Sequence, residues 1–170
     1  MPKGVPLNNI NEILSAHDVL MHFPLSPFDR TMNMTPWFHR GGLYAGGPNP
    51  SLYVGASVAV LRAFDPQMVI DYIEKYSLTF LIGAPVTYKA LCEEQQRKPR
   101  NLDKLKGIVT MGAPLEKQAC MNFKEVLTKN IFNGYGALRK HSGTRSCAPR
   151  ICPKWPVQPA AHAQTMTWQS

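Results

Sequence analysis

Four short apolar runs constrain the fold of this chain more than any other feature. Residues 57–61 read Ser-Val-Ala-Val-Leu, residues 78–83 Leu-Thr-Phe-Leu-Ile-Gly, and residues 107–111 Gly-Ile-Val-Thr-Met, while residues 130–133 end on Phe132-Asn133. A strand that alternates apolar with polar residues has one wet face; a nearly continuous apolar run belongs to a strand covered on both faces. Residues 31–35 form a fifth, shorter candidate leading into Pro36-Trp37-Phe38-His39.

Helical segments lie between the runs. Asp65 and Pro66 are a start signal, a capping carboxylate followed by proline at the first helical position. Met68, Val69, Tyr72, Ile73 and Tyr76 follow as the expected apolar face. Residues 8–21 place Ile10, Ile13, Leu14, Leu20 and Met21 near helical spacing behind Asn8 or Asn9 as cap. Residues 85–94 and 116–127 are helical by the same test, and the glycine-rich residues 40–55 read as a loosened helix or loop. Strand and helix alternate, so the expectation is an α/β fold: a parallel sheet with helices on both faces and right-handed crossovers.

Composition bounds the function. The chain has 170 residues, 44% of them hydrophobic, enough for one core. No apolar run is long enough to span a bilayer, and residues 1–20 lack the order of a secretory signal, so a cytoplasmic protein is expected. Cys92 and Cys120 fall on apolar helix faces and are read as buried free thiols, and no cysteine–histidine spacing suggests a metal site. The net charge of +8 does not mark a nucleic-acid surface. Residues 137–170 hold five basic side chains and no acid, leaving 14 basic against 11 acidic in residues 1–136.

In a parallel sheet, ligands bind beyond the carboxyl ends of the strands. Met111-Gly112-Ala113-Pro114 and Asn133-Gly134-Tyr135-Gly136 both stand at expected strand ends, where two glycine-bearing turns would line one cleft. Taken singly, each motif is an ordinary turn, and His39 beside Trp37 and Phe38 is an ordinary packed histidine. Their order is more specific. Pro2-Lys3-Gly4-Val5 is followed by Pro36-Trp37-Phe38-His39-Arg40-Gly41-Gly42, then Gly83-Ala84-Pro85-Val86-Thr87-Tyr88, Met111-Gly112-Ala113-Pro114-Leu115 and Asn133-Gly134-Tyr135-Gly136. Over residues 1–136 this series closely resembles the acyl-CoA synthetases of the adenylate-forming superfamily.

The resemblance implies part of an adenylate-forming N-terminal domain. It implies a ligase that activates an organic acid with ATP and Mg²⁺ to an acyl-adenylate and passes the acyl group to CoA, as in fatty acid metabolism. Its expected partners are a carboxylic acid and CoA, with no nucleic acid. Lys3 matches the phosphate-loop lysine, and His39 the aromatic–histidine motif near the carboxylate and the CoA channel; these are the expected catalytic residues. Gly112, Ala113 and Pro114 match the segment flanking adenine. Asn133, Gly134, Tyr135 and Gly136 match the adenine-binding turn, with Tyr135 stacking on the ring. The substrate is expected to be a plain acid, because Phe38-His39-Arg40 offers no carboxylate to hold an amine.

The chain also departs from the family. It begins midway through the phosphate loop, and Leu138-Arg139 stand where the pattern Tyr-Gly-x-Thr-Glu has Thr-Glu. The later ribose aspartate and the small C-terminal domain with its second lysine have no counterpart. The expectation is an internal fragment, inactive as it stands. Residues 137–170 carry prolines at 149, 153, 156 and 159 and no apolar periodicity, which suits an out-of-frame or disordered basic tail. Reading the codons of residues 136–140 from each third base permits Gly-x-Thr-Glu, which favours the frameshift. The alternative from another class is a non-enzymatic α/β interaction module with a basic tail.

Overall fold

Strands β1 (Arg30–Asn33), β2 (Ser57–Ala59), β3 (Phe80–Gly83), β4 (Gly107–Thr110) and β5 (Ile131–Asn133) lie side by side, all parallel, in the spatial order β2-β1-β3-β4-β5. These positions come from a computed structural model, which describes residues 6–43, 47–134 and 150–151. Arg150–Ile151 adds β6, a two-residue strand that runs antiparallel against Phe132 and Asn133. Lys3, Tyr135, Gly136 and most of residues 137–170 lie outside the described residues.

Alternate side chains of each strand feed two separate cores. Met32, Leu81, Ile108 and Ile131 face helices α4 (Pro66–Tyr76), α5 (Pro85–Arg97) and α6 (Lys117–Val126), meeting Val69, Ile70, Ile73, Leu91 and Phe123. Phe80, Ile82, Val109 and Phe132 face the other way. There they meet Phe23, the C-cap of α1 (Asn9–His22), and Ala56 after α3 (Pro48–Val54). Phe23 is wedged edge-on between Phe80 and Phe132, with ring centroids 4.7 and 5.3 Å away. Burying each such side chain contributes about 1.5–3 kcal/mol. The sheet is therefore covered on both faces, as the apolar runs require.

The helices start where their caps dictate. Asp65 accepts the Met68 N–H at 2.9 Å, with Pro66 at the first helical position. Asn8 and Asn11 exchange reciprocal side-chain bonds in a capping box at α1. The described residues of the range 40–55 include α2 (Arg40–Leu43) and α3, which ends on left-handed Gly55. No helix among the described residues is long and apolar enough to cross a membrane.

Four expectations need correcting. β2 is not a buried strand but the sheet's edge, with Ser57 exposed and Val58 and Ala59 half-buried. On α4 the buried set is Val69, Ile70 and Ile73, while Met68 and Tyr76 are largely exposed. On α1 Ala16 is buried and Val19 and Leu20 pack against the sheet-side core, whereas Ile10, Ile13, Leu14 and Met21 are exposed. Cys120 is buried but disulfide-bonded rather than a free thiol; Cys92 is free as expected.

Candidate functional site

Because β1, β3, β4 and β5 are parallel, their carboxyl ends open on one edge of the sheet. The chain leaves β1 there and makes a compact loop. Asn33, the last residue of β1 and 3% exposed, governs it. Its Oδ1 accepts the Thr35 N–H at 2.8 Å, and its Nδ2 donates to the carbonyls of Gly41 at 3.2 Å and Gly42 at 3.0 Å. Within the loop the His39 N–H donates to Pro36 and the Gly42 N–H to the His39 carbonyl. His39 is exposed, and its Nδ1 accepts the Gly41 N–H at 3.1 Å.

β4 and β5 reach the same edge two and three strands away. Adjacent strands are about 4.8 Å apart, so the exit of β4 lies about 10 Å from that of β1. Thr110, fully buried, donates its hydroxyl to Asn133 Oδ1 at 3.0 Å, and the Gly134 N–H donates to the Thr110 carbonyl at 2.9 Å. The two glycine-bearing turns are thus tied to each other. Gly112 follows at φ +83°, in the left-handed region, with open space where a side chain would stand. Ala113 and Pro114 are exposed beside it.

An open depression of about 230 Å³ lies between the starts of α5 and α6. Pro85, Val86 and Lys89 line one side, and Ala113, Pro114 and Glu116 the other. Of these, sequence reasoning picked out Ala113 and Pro114 as site residues. Lys89 and Glu116 were missed, although Pro85, directly after β3, marks a third strand end entering a helix.

Two buried groups are tuned away from reactivity. Burial pushes the Cys92 thiol up to about 12, with the charge of Glu93 adding to it, so it stays protonated at neutral pH and is no nucleophile. Burial also raises the Tyr88 phenol well above its usual value, despite its hydrogen bond to the Val109 carbonyl. Among the described residues, no group of three His, Cys, Asp or Glu side chains is placed to hold a metal ion. His39, Gly112, Ala113, Pro114, Asn133 and Gly134 therefore share one sheet edge. Lys3, Tyr135 and Gly136 lie outside the described residues.

Comparison with known proteins adds to this geometry. The family model for AMP-binding enzymes matches residues 1–137. Feruloyl-CoA synthase from Amycolatopsis sp is 29% identical over 114 residues, covering 67% of this chain and 23% of that protein. A long-chain-fatty-acid–CoA ligase of Bacillus subtilis is 27% identical over 137 residues, covering 79% and 24%. The solved structure of the anthranilate CoA ligase AuaEII in complex with anthranoyl-AMP superposes with a TM-score of 0.71 at 26% identity, covering 80% of this chain and 27% of that one. The chain spans about a quarter of the length of these relatives.

Proposed function

The chain belongs to the AMP-binding enzyme family, and on that premise we propose that it is part of the adenylating domain of an acid–CoA ligase. The observation that carries the reading is the shared sheet edge. His39, the Gly112-Ala113-Pro114 turn and the Asn133-Gly134 turn leave parallel strands on one side, in the family's motif order. ATP and a carboxylic acid are the substrates, and CoA accepts the acyl group. Residues 31–64 contain no Asp or Glu, so nothing there would hold a substrate amine, and the acid is a plain one. Fatty acid metabolism in the cytoplasm is the setting this reading assigns.

The residues fit a planar base. The Gly112 backbone has no atom within 4 Å of a would-be Cβ, and Ala113 and Pro114 beside it are exposed, which leaves a bare backbone surface on which a ring can rest. In this reading Gly112, Ala113 and Pro114 flank adenine, Asn133 lies beside its amino group and Tyr135 stacks on its face. Lys3 sits at the phosphates and His39 at the acid. Mg²⁺ would supply neutralisation of phosphate charge. The chain offers little for it, because Leu138-Arg139 replace the Thr-Glu of the family pattern. Losing one preorganised charge-stabilising group costs about a hundred-fold in rate. We therefore hold that the 170-residue polypeptide alone does not adenylate acids at a useful rate.

ATP–pyrophosphate exchange across a panel of organic acids tests this. Exchange should not exceed that of a Lys3→Ala control; robust exchange above it would overturn the inactivity. A non-cleavable acyl-adenylate mimic should still bind weakly by calorimetry and lose that binding in Tyr135→Ala. No binding at millimolar mimic would sink the site itself. Residues 1–136 form the domain part in this reading, and 137–170 are foreign to it. Resequencing the DNA across codons 130–145 decides that point.

A further inference from the structure

We propose that Asn33 is a positioning residue for His39, setting the loop so that the neutral imidazole carries its proton on Nε2. The inference rests on the functional reading above only for what that N–H would meet, the carboxylate or acyl oxygen of the acid. The geometry itself does not depend on it.

Four hydrogen bonds link Asn33 to the His39 ring. Asn33 is buried at the end of β1, and its amide spans the loop mouth. Oδ1 takes the Thr35 N–H on the way out, and Nδ2 takes the Gly41 and Gly42 carbonyls on the way back. A side-chain amide has an acceptor end and a donor end, and this loop uses both. Fixing the two carbonyls orients the 41–42 and 42–43 peptide planes and so anchors α2, whose first turn carries the Gly41 N–H. The Gly41 N–H then lies 3.1 Å from His39 Nδ1. A backbone N–H can only donate, so Nδ1 must accept and the ring proton of neutral His39 must sit on Nε2. The ring thereby offers a donor, which is what an anionic or carbonyl oxygen requires. Asp at position 33 would keep the acceptor for Thr35 but present carboxylate oxygen to two carbonyls. Leu would fill the space and bond to neither side.

The test is a long-range ¹H–¹⁵N correlation spectrum of the whole, uniformly ¹⁵N-labelled chain, at a pH where His39 is neutral. Peaks are assigned to His39 by their loss in His39→Gln. The expected wild-type signature is the Nε2–H tautomer, with a scalar coupling across the hydrogen bond between the Gly41 amide and Nδ1. In Asn33→Asp the tautomer ratio should fall about fivefold, the factor one ordinary hydrogen bond supplies, while the amide peaks of β3 and β4 stay in place. A wild-type ring with its proton on Nδ1, or a folded Asn33→Asp protein with an unchanged ring signature, would overturn the proposal. If Asn33→Asp does not fold, the wild-type coupling decides: its presence supports the lock and its absence refutes it. Binding of the acyl-adenylate mimic separates this inference from the functional reading. His39→Gln keeps an N–H donor near the Nε2 position and should bind better than His39→Asn. Equal binding by both, with the tautomer signature intact, would leave the positioning standing and remove the role at the acid.

Discussion

Removing one oxygen atom from Tyr88 should weaken the whole sheet. Tyr88 lies in the first turn of α5 and is fully buried, its ring 5.7 Å from that of Phe123. Its hydroxyl is 2.9 Å from the carbonyl oxygens of both Leu81 in β3 and Val109 in β4, so a single proton serves two strands. Tyr88→Phe keeps every ring carbon and opens no cavity of consequence. What it removes is the donor for two carbonyls that no water can reach. Leaving buried acceptors short of a partner costs about 1–3 kcal/mol. Against a total stability of about 5–15 kcal/mol, a central value of about 2 kcal/mol is readily measured. For a chain of this size it corresponds to a fall in melting temperature of about 4–8 °C. The phenol adds a second signature. Its folded pKa is raised by burial, so the stability it contributes is fully present below the usual value of 10.0 and is lost as pH rises above it. The slope there approaches about 1.4 kcal/mol per pH unit. Urea titrations followed by circular dichroism, at pH 7 and at steps from pH 9 to 11, read both effects. The wild-type excess stability over Tyr88→Phe should be constant up to pH 9 and then shrink. Equal stability at pH 7, or a difference that does not change with alkali, would refute the reasoning.

Three further outcomes follow from the same structure. Asp29 is 1% exposed and bonded by the Ser26 N–H and hydroxyl and by Lys106 Nζ. Burial pushes its carboxyl up, but the bonds from Lys106 and Ser26 outweigh this and hold it below its usual 3.8. Asp29→Asn should therefore lose about 1–3 kcal/mol at neutral pH in urea titrations. That gap should persist down to the usual carboxyl value and close as pH falls through the lower folded one. Phe23→Ala should cost about 3–5 kcal/mol and release α1, seen as faster amide exchange in residues 9–22 than in β4. Gly112→Ala should cost about 1–2 kcal/mol through its positive φ alone, since the space around it is open. Gly112→Asn should recover part of this in thermal melts, and a cost equal to that of alanine would argue against a purely conformational origin.

What the sequence reveals here is what local chemistry decides. The Asp65-Pro66 start of α4 was legible because cap and helix are neighbours in the chain. β3 and β4 were legible because a run apolar at every position admits no wet face. β2 was misread for the same reason. Its apolar run resembles theirs, but whether a strand is central or at an edge depends on strand order, which no window of residues contains. The α1 stripe of Ile10, Ile13, Leu14 and Met21 shows the same limit. Period gives a helix, while the side that packs is set here by Phe23, which pins Val19 and Leu20 toward the sheet. At the candidate site the glycine-bearing strand ends could be found, because a strand must stop there. Asn33 could not, since an asparagine at a strand end is unremarkable until the loop it holds is seen.

The candidate site is spaced by the sheet more than by its loops. The hydrogen-bond ladder continues one residue past each strand: the Met34 N–H to the Ile82 carbonyl at 2.8 Å, Met111 to Gly83 at 3.1 Å, and Gly134 to Thr110 at 2.9 Å. The exits of β1, β3, β4 and β5 are therefore fixed in single-strand steps, whatever the turns beyond them do. Gly83 stands in the middle of this row. A Cβ there would lie 2.6 Å from Thr87 Oγ1 and 2.7 Å from Met34 Cε, so the strand end that separates the His39 loop from the two glycine-bearing turns has no room to thicken. Segments separated in the chain by the whole of β2, β3 and their helices are in this way held a defined number of strand widths apart. Register does the positioning, and side-chain clamps such as Asn33 and the Thr110–Asn133 pair make the final adjustment at each exit.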